Sequence, residues 1–325
     1  MVWAVPTPYL IGSAIATIGG FTFLTKDLLN ENRYEGKGKM TDKVVIVTGA
    51  NSGIGKETVR SLAKREAKVI MACRDLHKCE AARQELVLDT LNKHIYCRKC
   101  DLASQKSIRQ FAERFKKEFK ELHVLINNAG VMNCPQATTK DGIEMQLGVN
   151  HMGHFLLTNL LLDTLKASAP SRIVNVTSAA YARGKIKLDD FNSEKKYNPD
   201  EAYKQSKLAN VLFTLELAKK LKGTGVTVNA VYPGISDTDI YRNMSYHSSF
   251  ISSVFVKPFT WLFIKSARQG AQPVWIAAID PKLKDVTGCY LSKGKPAELS
   301  KEAKDEKMAK WLWLTSEKWT KLETS

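Results

Sequence analysis

The stretch KVVIVTGANSGIGK, residues 43–56, reads as a buried strand, a glycine-rich turn and the opening of a helix. Gly49, Gly53 and Gly55 let the backbone turn sharply and come close to a ligand, while Asn51, Ser52 and Ile54 fill the turn between them. At the start of the helix the free N–H groups and the positive end of the dipole favour an anion, so the turn is suited to a pyrophosphate. The spacing is G-x-x-x-G-x-G rather than the G-x-G-x-x-G of the usual dinucleotide fingerprint. The glycines alone are a weak signal. Between a strand and a helix they predict a nucleotide site.

Outward from this turn, short apolar runs alternate with helix-length amphipathic segments. The strands are expected at 43–48, 68–73, 94–100, 123–127, 172–178 and 226–232, and the helices include 56–65, 104–120 and 201–222. Such alternation means βαβ units, hence an α/β fold with a doubly wound parallel sheet (Rossmann type) covered on both faces. Its ligands sit beyond the C-terminal ends of the strands. No repeat and no second boundary appears after residue 43, so 43–325 is expected to form a single domain, with 26–42 as a polar linker before it.

The 325 residues are 44% apolar and 25% charged, which excludes a disordered chain. Six cysteines are too few for a disulfide scaffold and favour a reducing compartment. The excess of 49 Lys and Arg over 33 Asp and Glu suits anionic partners: phosphate-bearing cofactors, acidic lipid or nucleic acid. No nucleic-acid recognition motif is present, so that partner is set aside. Residues 1–25 contain no charged side chain and are followed by Lys26, Arg33, Lys37, Lys39 and Lys43. This predicts an N-terminal hydrophobic membrane anchor with the large domain on the cytosolic side. A signal peptide would need a basic leading region and a transit peptide an arginine-rich amphipathic one, and neither is seen. A segment lying in the interface rather than spanning stays open.

The second strand ends in Ala72-Cys73-Arg74-Asp75, where an NAD-specific protein places an acid on the ribose 2′-hydroxyl. Here a guanidinium comes first, which argues for NADP(H), with Lys56 as a helper. The alternative is that Arg74 is solvated and Asp75 takes the ribose. Further along, Asn127-Asn128-Ala129-Gly130 closes the fourth strand, Ser178 ends the fifth, and Tyr203-Lys204-Gln205-Ser206-Lys207 opens a long helix. Tyr203 and Lys207 are one turn apart on one face. A neighbouring ammonium stabilises phenolate and brings a phenol, whose ordinary pKa is about 10, toward the range of a proton-transfer catalyst.

With TGANSGIG, NNAG, Asn150 in GVNHMGHF, Ser178, Y-x-x-x-K and Tyr232-Pro233-Gly234 in this order, the chain from about 43 to 291 resembles the short-chain dehydrogenase/reductase family. The resemblance implies that Tyr203 transfers the proton, Ser178 holds the substrate oxygen, and Lys207 binds the nicotinamide ribose and lowers the Tyr203 pKa. It implies that Asn150 helps connect a relay water. Asp101 and Leu102 would face the adenine, Asn128, Ala129 and Gly130 would line the cofactor cleft together with Pro233 and Gly234, and Thr238 would contact the carboxamide. No metal is implied.

Ser178 and Tyr203 are 25 residues apart, longer than in many members of the family, and the extra RGKIKLDDFNSEKKYNPDEA is expected on the surface. This spacing, AYKQSKLANVLF, ACRD and the N-terminal anchor look like the membrane-associated retinol dehydrogenases. That likeness implies a small apolar, retinoid-like carbonyl or alcohol substrate, with steroids, lipid aldehydes and xenobiotic carbonyls as competitors. A catalytically idle NADP-binding scaffold is the other class of reading, and the complete set of four catalytic residues disfavours it. The location implied is the endoplasmic reticulum facing the cytosol, with the mitochondrial inner membrane as alternative; monomer and homo-oligomer stay open. FISSVFVKPFTWLFI (250–264) carries one charge and lies within the expected substrate lid, 236–268. Met308, Trp311, Leu312 and Trp319 are read as packing. Cys97-x-x-Cys100 lies in a strand whose alternation separates the thiols, and His151 and His154 lack a third ligand, so neither is read as a metal or redox site.

Overall fold

β1 (Val44–Thr48) is buried at all five positions, as a strand in the middle of a sheet covered on both faces must be. It pairs in parallel with β2 (Lys68–Cys73) on one side and β4 (Val124–Asn127) on the other, so that Val45 lies between Val69 and Val124. β3 (Ile95–Lys99), β5 (Ser171–Val176), β6 (Val226–Tyr232), β7 (Cys289–Ser292) and β8 (Lys295–Ala297) complete an eight-stranded sheet of order 3-2-1-4-5-6-7-8. All pairs are parallel except β7 with β8. The strand order reverses between β1 and β4, and the crevice there, at the strands' C-terminal ends, is where this class of sheet takes its ligand. The computed structural model describes residues 38–234 and 266–322. The anchor expected at 1–25, most of the linker, Thr238 and the lid up to residue 265 lie outside the described residues.

Alternation along the strands separates two cores. Val45, Val47 and Met71 pack toward α1 (Gly53–Ala63), α2 (Leu76–Thr90) and α7 (Ala267–Ile279). Val44, Ile46 and Ile70 pack toward α3 (Gln105–Glu118), α4 (Gly153–Leu160) and α6 (Pro199–Lys220). Between α4 and β5 runs the short α5 (Leu162–Ala167). The last helix, α8 (Glu306–Thr320), lies along α6 and sets Trp313 against Phe155 and Phe213, with ring centroids 5.0 and 5.9 Å apart. Among the described residues no helix is long and apolar enough to cross a membrane.

Three features depart from the reading of the sequence. β7 and β8 were not anticipated, because Cys289–Ser292 offers only Tyr290 and Leu291 to the core. They are joined by Lys293 and Gly294, both at positive φ (52° and 75°), the two-residue turn that matches the twist of a hairpin. The polar excursion after Ser178 is only partly a surface feature. Asp190 accepts the backbone N–H groups of Glu194, Lys195 and Lys196, and the loop so formed drives Phe191 into the core against Trp311 and Trp319 at 5.2 and 5.3 Å. Finally, Cys97 is not an isolated thiol: it is disulfide-bonded to Cys79 of α2. Cys97 and Cys100 do lie in opposite cores, as alternation requires, and the helix packed on the face of Cys97 supplies its partner.

Candidate active site

The glycine-rich turn is built so that nothing but backbone can occupy it. Gly49 has φ +63°, and a Cβ there would lie 2.9 Å from the Ala129 Cα. At Gly55 a Cβ would come within 2.2 Å of the Gly49 carbonyl oxygen. Beneath the turn the Cys73 sulfur receives the N–H groups of Ala50 and Asn51, and burial pushes its thiol up to about 11. The helix that follows lacks the side-chain cap that five of the longer helices carry. Asp75, Ser104, Asn198, Ser266 and Asp305 each cap the helix they precede with a side-chain oxygen. Ser52 stands at the same position before α1 without spending its hydroxyl on the helix, and the first turn contains no acid. The donors at this end are left for an anion.

Thr48, the last residue of β1, ties the turn to the NNAG loop. Its Oγ1 accepts from the backbone N–H of Asn128 and of Ala129, both at 2.9 Å. The proton of the hydroxyl goes to His154 Nε2, also at 2.9 Å, because His154 donates from Nδ1 to the Asn150 carbonyl oxygen and must therefore accept at Nε2. Burial holds the His154 imidazole neutral, with its pKa down to about 4. Asn128 Nδ2 in turn donates to the Thr48 carbonyl at 2.9 Å.

Asn150 stands at the π-helical turn Gly148–Met152, fully buried. Its Oδ1 accepts from Val131 N at 2.8 Å, and Nδ2 donates to Val131 O and Ser206 Oγ, each at 2.9 Å. Both amide protons are committed within the protein. The side chain clamps the loop after NNAG to the catalytic helix and does not line the cavity. Ser206 passes the connection on, donating to the Tyr203 carbonyl at 2.7 Å.

α6 carries Tyr203 and Lys207 one turn apart on its buried side. The Lys207 ammonium lies 5.6 Å from the centroid of the Tyr203 ring. It donates to the Val176 carbonyl at 3.4 Å, and burial brings its pKa down to about 8. Ser178 faces them from the end of β5. Its Oγ accepts from Ala180 N at 3.2 Å, so among the described residues its own proton has no acceptor and is free for a ligand.

These groups open onto one cavity of about 660 Å³ at the C-terminal ends of the strands. It takes in Gly49, Asn51, Ser52, Gly53, Ile54 and Gly55 of the turn, Arg74, Asp101 and Leu102 at one end, Asn128, Ala129 and Gly130 along the floor, and Ser178, Tyr203, Lys207, Pro233 and Gly234 at the other. Met132, Met145 and Val149 add apolar side chains to its lining. Arg74 is exposed and makes no ion pair among the described residues. Asp75, beside it in the lining, accepts from Lys78 N at 3.1 Å through Oδ1 as the cap of α2. Lys56 is engaged as well, 2.5 Å from Glu85. The cation beside Arg74 is instead Lys78, exposed, lining the cavity and without an ion pair among the described residues. Sequence reading missed Lys78 and Thr48, and treated His154 as a structural histidine. The four-residue step from Arg74 to Lys78, across the cap of α2, was the signal for the lysine.

An elongated cavity with an uncapped helix end in its middle, cations at one end and a tyrosine, lysine and serine at the other has the layout of a nicotinamide-dependent oxidoreductase. A short chain dehydrogenase family profile matches residues 43–248. The chain is 50% identical to retinol dehydrogenase 13 of Homo sapiens over 312 residues, 96% of this chain and 94% of that one. It is 51% identical to human retinol dehydrogenase 12 over 280 residues, 86% of each. Among solved structures, an uncharacterized protein from Mycobacterium paratuberculosis superposes with a TM-score of 0.71 at 38% identity, covering 89% of this chain and 97% of that one. The protein belongs to the short-chain dehydrogenase family, and along most of its length it is similar to retinol dehydrogenase 13.

Proposed function

We propose that the protein interconverts retinal and retinol with NADP(H). The observation that carries this reading is the Tyr203, Lys207 and Ser178 group lining the same cavity as the glycine-rich turn, in a chain half identical along most of its length to proteins named retinol dehydrogenase. The residues fit the cofactor: the glycine cradle and uncapped α1 take the pyrophosphate, and Arg74 with Lys78 takes the adenosine 2′-phosphate. Asp101 and Leu102 border the adenine, and Asn128, Ala129, Gly130, Pro233 and Gly234 shape the channel. Bound there, the dinucleotide supplies or accepts a hydride at its nicotinamide ring.

The chain's own groups then handle orientation and the proton. The Ser178 hydroxyl donates to the substrate oxygen and fixes its direction. The Tyr203 phenol gives its proton to the carbonyl oxygen in reduction and takes it back in oxidation. Lys207, charged below pH 8, offsets the negative charge that develops on the phenol oxygen. Asn150, His154 and Thr48 hold the two halves of the site in register. Residues 1–25 hold the protein to a membrane, with the domain on the cytosolic face of the endoplasmic reticulum or, as the alternative, at the mitochondrial inner membrane. A panel of all-trans-retinal, a steroid ketone and a lipid-derived enal, each with NADPH, tests the substrate: retinal is expected to give the highest kcat/KM, and a steroid or enal preferred by ten-fold would move the assignment to that class.

A further inference from the structure

Each of the seven parallel strands is entered from a segment bearing an exposed lysine. Lys93 precedes β3, Lys64 β2, Lys43 β1, Lys120 β4, Lys166 β5, Lys222 β6 and Lys284 β7. At about 4.8 Å per strand this row is roughly 29 Å long, on the end of the sheet opposite the cavity. Lys64, Lys166 and Lys284 face Asp89, Asp163 and Asp285 at 3.3, 3.9 and 3.8 Å. Lys43, Lys93, Lys120 and Lys222 have no carboxylate within ion-pair distance among the described residues. Helix C-termini gather at this end and favour cations for their own dipoles, which explains part of the row. It explains neither Lys43, which no described helix precedes, nor two leucines left in water beside the row. Leu88 and Leu91, at the end of α2, are 78% and 86% exposed, the most exposed large apolar side chains among the described residues.

We propose that this end of the sheet is the face that lies on an anionic lipid bilayer. The chain arrives here from its N-terminus: Met40 N donates to Arg65 O between β1 and β2. The segment upstream begins with 25 residues that carry no charged side chain, and the inference rests on reading that segment as membrane-directed. The four ammonium groups of the row that have no carboxylate partner among the described residues meet acidic headgroups, and Leu88 and Leu91 enter the interface beside them. The cavity then opens on the side away from the lipid.

Amide hydrogen exchange of the full-length protein, on phosphatidylserine–phosphatidylcholine vesicles against neutral detergent micelles, reads the face directly. Exchange at 91–94, 119–122 and 222–225 is expected to slow several-fold on vesicles, with 178–196 unchanged. Replacing three lysines together (Lys43→Gln, Lys93→Gln and Lys120→Gln) is expected to lower partitioning onto the anionic vesicles about a hundred-fold at low salt, at about five-fold per charge. Partitioning onto phosphatidylcholine alone and turnover in detergent should stay at the wild-type level. Slowing at 178–196 instead, slowing at neither end in bound protein, or partitioning unaltered by the three substitutions would overturn the proposal. Failure of the full-length protein to bind either vesicle would overturn the reading of residues 1–25 together with it.

Discussion

At Arg74 the choice between two dinucleotides comes down to one phosphate on the adenosine ribose. Arg74 and Lys78 stand at that end of the cavity without ion-pair partners among the described residues, and Asp75 caps α2 through Oδ1. Arg74→Asp is expected to shift the ratio of kcat/KM for NADPH over NADH toward NADH by at least a hundred-fold, and Lys78→Ala by about ten-fold, since a charge-assisted contact is worth about 1.5–3 kcal/mol. An unchanged ratio in Lys78→Ala, measured with both coenzymes, would put the 2′-phosphate elsewhere. Lys207 sets a pH limit of its own. Burial lowers its pKa to about 8, so the ammonium is present below that pH and lost above it. The kcat/KM for carbonyl reduction is expected to fall as pH rises through about 8. Lys207→Arg, charged throughout, should move that limb upward; a profile flat to pH 9.5 would remove Lys207 from the electrostatics of the proton transfer.

At the scale of elements, β2 and β6 have the bounds the sequence predicts, because apolar runs bounded by polar residues leave little choice of register. Tyr203 and Lys207 were legible for a similar reason: helical periodicity alone puts them together. What could not be read was whatever depends on partners distant in sequence. Cys97 finds Cys79 only once α2 folds over β3, and Asn150 finds Val131 and Ser206 only across the assembled site. The excursion before α6 is the clearest case, since a run dominated by charges hid a buried anchor at Phe191. Phe191→Ala removes the ring that meets Trp311 and Trp319 and is expected to cost about 3 kcal/mol in denaturant unfolding. A change below about 0.5 kcal/mol would mean that the loop does not hold α8 to the body.

For the molecule as a whole, two buried histidines predict how it fails in acid. His151 is held neutral by burial, with its pKa down to about 3, and donates from Nε2 to Ser316 of α8 at 2.8 Å. His154 behaves likewise with its pKa down to about 4. Both folded values lie below the unfolded value of about 6.5, so below that pH the unfolded chain binds more protons and stability is lost as pH falls. At pH 5 each histidine is expected to have cost about 2 kcal/mol relative to pH 7.5. Denaturant unfolding at both pH values should show a smaller loss in His151→Asn than in wild type. An identical loss would place the acid sensitivity in the carboxylates. The parallel sheet and a ligand site at the C-terminal ends of its strands follow from the alternation of strands and helices, whereas the strand order does not. The substrate does not either, because the family fixes the chemistry more tightly than the ligand.

The central claim is that Tyr203 moves the proton in an NADPH-dependent reduction. It is tested most directly by following NADPH absorbance with all-trans-retinal for the wild type and Tyr203→Phe, with NADPH binding measured on both. Loss of turnover by at least a thousand-fold in Tyr203→Phe, with NADPH affinity within about three-fold of wild type, is the predicted result, since the substitution removes only the proton donor. Turnover at the wild-type level in Tyr203→Phe would contradict the account.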